Sequence, residues 1–147
     1  MKIPLLPALT LSLISFLATP ALADFTGPYD VTNWNQYLDG GIIDLSDAPN
    51  SISLVSSNTF GNNIGGLPSF TDFTIEIQAD GIILFDWDFL TIDIDGPGFD
   101  PFGYILNNDF FQLTDDNGLD HQSGWESVNV FAGDIFGFEV FATPASN

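Results

Sequence analysis

The sequence predicts an all-β protein, an antiparallel β-sandwich of jelly-roll type with roughly seven to nine strands. Two observations lead there. Alternation of apolar and polar residues with a period of two recurs along the chain, whereas no window of helical length repeats apolar residues at spacings of three and four. Turn-forming clusters of Asp, Asn, Gly and Pro separate the alternating runs at short intervals.

In chain order, the first segment is set apart from the fold. Residues 1–23, "MKIPLLPALTLSLISFLATPALA", carry one basic residue, Lys2, an apolar middle and an Ala21-Leu22-Ala23 exit, which is the layout of a cleaved secretory signal. A membrane span needs about 20 uninterrupted apolar residues; Pro4, Pro7, Ser12, Ser15 and Pro20 interrupt this one. Secretion to the periplasm, the cell surface or the medium is therefore expected. Cysteine is absent, which excludes a lipid-modified cysteine at the cleavage site and any disulfide. Residues 24–147 then form one domain, long enough for a single core.

Four runs predict the principal strands. "FTIEIQ" places Phe73, Ile75 and Ile77 on one face and Thr74, Glu76 and Gln78 on the other. "GIILFDWDFLTID" sets Ile83, Phe85, Trp87 and Phe89 against Leu84, Asp86, Asp88 and Leu90. "ESVNVF" turns Val128 and Val130 inward, and "IFGFEVF" aligns Phe136, Phe138 and Val140. Hairpins are expected at Asn107-Asn108 and around Gly133. The loop at 56–69, "SSNTFGNNIGGLPS", is the most flexible stretch by composition and a plausible binding loop.

Charge is the strongest compositional feature. The chain holds 20 acidic residues and one basic residue, which is Lys2 itself. Once the signal is removed, only His121 and the new amino terminus could form an ion pair. Two exposed carboxylates about 5 Å apart repel by about 0.8 kcal/mol in water, so solvent cations must screen the surface. Nucleic acid and anionic membranes, which need basic contacts, are excluded as partners. Cations and extracellular polysaccharide remain.

Several groups carry candidate chemistry. The stretch "TIDIDGPGFDPFGY" supplies Asp93, Asp95 and Asp100, and a second acidic loop supplies Asp115, Asp116 and Asp120 with Asn117. Short carboxylates converging on one ion would suit Ca2+, the candidate cofactor, which takes six to eight oxygens. The pattern is not an EF-hand, because Gly96 follows directly on the second aspartate. The competing and preferred reading is a solvated acidic turn. Asp86 and Asp88 lie on one strand face, about 7 Å apart; a glycoside hydrolase needs its carboxylates on opposite sides of the bond. His121, the only histidine, is expected in an exposed loop, and no G-x-S-x-G elbow accompanies it. Trp34, Trp87 and Trp125 are either core residues or sugar platforms; exposure of Trp34 or Trp125 on a sandwich face would favour carbohydrate binding.

The segments "FTGPYDVTNW", "DAPNSISLVSSN", "GIILFDWDFLTIDIDGPGFDPFGYILN", "QLTDDNG", "QSGW" and "VFAGDIFGFEVFAT" resemble the N-terminal domain of bacterial exported proteins of the PEP-CTERM type. The resemblance covers nearly all of residues 24–147. It implies an exported β-sandwich of Gram-negative bacteria that make extracellular polysaccharide. The chain departs from that pattern at "FATPASN", where the V-P-E-P signature, apolar helix and basic tail would follow. A missing closing strand would leave an edge open to self-association.

The function expected from the sequence is a secreted, non-enzymatic module of the cell surface or matrix, dependent on Ca2+ or binding carbohydrate. The alternative is a secreted hydrolase acting on polysaccharide through paired aspartates, and a third reading is a purely structural domain.

Overall fold

A computed structural model describes residues 21–22, 25–57 and 68–143. The fold is all-β, and every strand pair is antiparallel except the one that Ala21–Leu22 makes. In chain order the strands are β1 (Ala21–Leu22), β2 (Asn35–Leu38), β3 (Ile42–Asp44), β4 (Ser53–Val55), β5 (Ser69–Glu76), β6 (Gly81–Leu90), β7 (Phe102–Leu106), β8 (Asp109–Gln112), β9 (His121–Val130) and β10 (Ile135–Ala142). Among the described residues no helix is long and apolar enough to cross a membrane.

The pairings nest: β5 with β10, β6 with β9, and β7 with β8, all antiparallel. This is a long hairpin rolled into two layers, the connectivity of a jelly roll. One layer is a five-stranded sheet in the order β2-β5-β10-β7-β8. The other is the ten-residue pair β6 and β9, with β3 and β4 as a separate hairpin. Strand β10, the last described strand, is paired on both sides, so the five-stranded sheet has its edges at β2 and β8. Ala21–Leu22, inside the expected signal segment, lies parallel to β6 opposite Ile83 and Leu84. The rest of that segment and most of the 56–69 loop fall outside the described residues.

Alternation decides which side chains meet between the layers. Ile75 and Ile77, Phe136 and Phe138, and Val128 and Val130 form the buried cluster. Phe85 points inward from β6 and meets Phe136 and Phe138 edge-on, with ring centres 6.1 and 5.0 Å away. Burying each such side chain stabilises by about 1.5–3 kcal/mol, and the tilted aromatic pairs add about 0.5–1.5 kcal/mol each.

Turn chemistry agrees with the sequence. The β7–β8 hairpin closes through Asn107 and Asn108, with Asn107 in the left-handed region at φ 59°. The turn from β9 to β10 uses Gly133 at φ 91°, a conformation that side chains rarely adopt. Two expectations are corrected. Strand β6 ends at Leu90 instead of running through the "TID" that follows, because Thr91 N–H bonds Asp120 O and the chain then turns. His121 is not in a loop: it opens β9, paired with Leu90.

Candidate functional site

The outer face of β6 and β9 carries the most exposed tryptophan. Strand alternation sends Ile82, Leu84, Asp86, Asp88 and Leu90 outward from β6. Their partners on β9 are Asn129, Ser127, Trp125, Ser123 and His121. Trp125 is 71% exposed and stands directly opposite Asp86. The strand beneath it is held by a close approach on the inner side. The Trp87 indole lies over Gly124, where an added Cβ would come within 3.0 Å of the ring. Gly124 thus lets β9 sit against Trp87 while the next residue projects into water.

Asp86 makes no hydrogen bond or ion pair among the described residues, whereas Asp88 Oδ2 lies 2.8 Å from His121 Nε2. With His121 protonated, that contact is one of the two ion pairs the sequence left open. Both side chains are mostly exposed, so it is worth little to stability. Asp86 and Asp88 project the same way from one strand and do not oppose each other across a cleft.

The other two tryptophans are structural. Trp34 stacks on Phe73 with ring centres 4.6 Å apart, and its Nε1–H donates to Tyr29 O at 2.9 Å. Trp87 is half-buried, with Phe102 6.1 Å away.

The six aspartates proposed as calcium ligands lie in two adjoining loops but do not form a cage. Thr91 N–H donates to Asp120 O at 2.9 Å, and a Cβ on Gly98 would lie 3.3 Å from Asp116, so the loops touch. Most of the carboxylates are engaged locally. Asp93 Oδ1 accepts from Asp95 N–H, Asp115 Oδ1 from Asn117 N–H, and Asp116 Oδ1 from Gln112 Nε2. Asp100 Oδ2 accepts from Thr91 Oγ1 at 2.7 Å. Among the described residues no three His, Asp or Glu groups converge as a metal site. The bonds of Asp93 and Asp115 are those of acidic turns, in which aspartate caps the backbone two residues on, while Asp100 and Asp116 are held by neighbouring side chains.

One titratable pair escaped the sequence reading. On the outer face of the five-stranded sheet, Asp72 of β5 and Glu139 of β10 are directly paired. Glu139 is only 9% exposed, and one Asp72 carboxylate oxygen is buried without a hydrogen-bond partner among the described residues. Burial is the main cause of the shift at Glu139, and Asp72 adds a hydrogen bond and repulsion; together they push its carboxyl up to about 8. Burial also raises Asp72. At neutral pH the pair therefore shares one proton. The rings of Phe70, Phe141 and Phe110 follow one another along the same face, with centres 5.4 Å apart. A shallow depression of about 350 Å³ lies elsewhere, lined by Pro28, Asn33, Asn35, Ile75, Glu76 and Gln78, with Glu76 its one ionisable group.

No family model matches the chain, nor does any curated protein or solved structure.

Proposed function

We propose that this chain is an exported, non-catalytic β-sandwich module of the bacterial cell surface or extracellular matrix, and that it binds polysaccharide through the outer face of β6 and β9. One observation carries the reading: Trp125 stands 71% exposed on the outer strand face. An indole presented this way offers an apolar plane to the C–H face of a sugar ring. Around it, Ser123 and Ser127 flank the ring along β9 and supply hydroxyls for those of the sugar, while Asp86 faces the ring from β6. The export expected from residues 1–23 and the resemblance to exported proteins of polysaccharide-producing bacteria point the same way.

The hydrolase alternative would draw on the same aspartates, but Asp86 and Asp88 lie side by side on one strand, and His121 engages Asp88. Acid and base must instead flank the scissile bond.

The test is retention in gels that contain neutral or amino-sugar polysaccharides, read alongside tryptophan fluorescence. Trp125→Ala should abolish retention and leave the unfolding midpoint unchanged, because the side chain buries little. Retention equal to that of the parent protein would refute the assignment of this face. Release of reducing ends that disappears in Asp86→Asn would replace binding with hydrolysis.

A further inference from the structure

Which polysaccharide the face selects follows from charge, and this inference rests on the reading of Trp125 as a sugar platform. We infer that the preferred ligand is a polymer of hexosamine with free amino groups, bound with its ammonium between Trp125 and Asp86.

Three observations converge on that class. The Asp86 carboxylate stands in register with Trp125 and is free of any partner among the described residues, while its neighbour Asp88 is taken by His121. A carboxylate beside an exposed indole is a site for a cation: the ammonium gains a charge-assisted hydrogen bond on one side and the negative face of the ring on the other. Tryptophan is the aromatic residue best suited to the second contact. The third observation excludes the opposite ligand class. With 20 acidic residues against a single Lys2, the chain repels polyuronates and sulfated polymers and offers no lysine or arginine outside the signal segment to reverse that. A neutral sugar would stack on Trp125 but leave the Asp86 charge unused. An amino sugar uses both groups.

The experiment titrates the intact secreted protein with a deacetylated chitosan oligomer and with its N-acetylated counterpart, which differ only at the nitrogen, and with a polyuronate as third ligand. Fluorescence of Trp125 reports binding at low and moderate salt. The deacetylated oligomer should bind more tightly, and its advantage should shrink with salt and vanish when the amine is deprotonated. Asp86→Asn should lower that affinity by about three- to tenfold, the range of an exposed ion pair with a cation–π contact, and leave the N-acetylated oligomer unaffected.

A charge-matched control, Asp39→Asn, removes an exposed acid from the turn after β2. If it weakens binding as much as Asp86→Asn, the attraction is general and the inference is overturned. Equal affinity for the two oligomers, unchanged by Asp86→Asn, overturns the inference while leaving the sugar platform intact. Absence of binding to all three ligands overturns the platform itself.

Discussion

Glu139 makes stability depend on pH in a direction unusual for a carboxyl group. Its folded-state proton is held up to about 8, against an ordinary value of 4.5. The unfolded chain releases that proton near the ordinary value, so between the two the native state binds more protons and unfolding becomes easier as pH rises. The contribution is fully present below pH 4.5 and is lost as pH passes through about 8. At about 1.36 kcal/mol per pH unit the ceiling is about 5 kcal/mol. Asp72 shares the proton with Glu139, so half of that, about 2–3 kcal/mol, is the working figure. In a domain of this size that lowers the midpoint by about 10 °C between mildly acidic and mildly alkaline buffer. Urea unfolding and thermal melts across that range measure it. Glu139→Gln should flatten the dependence and leave the protein more stable than its parent at the alkaline end. Asp72→Asn, which removes the neighbouring charge, should also make the slope shallower. A slope in Glu139→Gln equal to that of the parent would refute the shared proton.

Two further outcomes follow from packing and charge. Gly124→Ala places a Cβ against the Trp87 ring and should cost about 1–3 kcal/mol in urea unfolding; a neutral result would mean that the ring is free to shift. Calcium should raise the melting temperature no more than magnesium at matched ionic strength, since Asp93 and Asp115 bond their own turns and no three acidic groups converge among the described residues. A calcium-specific shift abolished by Asp95→Asn would reverse that conclusion.

The core was legible because alternation is a local property. Ile83, Phe85 and Phe89 face inward as their spacing dictates, and Val128, Val130, Phe136, Phe138 and Val140 are all buried. The candidate site was only half legible. Trp34 and Trp125 are the same residue type, each with asparagine or glycine before it, and only tertiary structure shows that one stacks on Phe73 while the other stands in water. Asp72 and Glu139 were invisible for a related reason. Each occupies a polar position in an alternating run, which reads as a solvated face. Only the register of β5 against β10 places them opposite each other, and only the packing of that face buries Glu139. The "TID" segment misled in the other direction. Its alternation suggested more strand, yet Ile92 is 96% exposed, because β9 begins at His121 and offers no partner beyond Thr91.

A chain with so many carboxylates and almost no basic side chains must manage its charge by other means, and these means oppose each other in pH. Asp30 is stabilised in its ionised form by the Thr32 hydroxyl and amide, and Asp44 by the Ser46 amide and side chain, which hold both carboxyls below their ordinary value. Groups lowered in this way contribute stability above the ordinary value of 3.8 and lose it as pH falls through their folded values. Glu139 does the reverse. Stability should therefore peak in the mildly acidic range, after the turn aspartates have ionised and before Glu139 gives up its proton. Repulsion among the remaining carboxylates pushes the optimum further toward acid, and salt should weaken that push without moving the Glu139 limb, whose cause is burial. If added salt flattened the alkaline limb as well, repulsion alone would account for the curve and the shared proton would have no part in it.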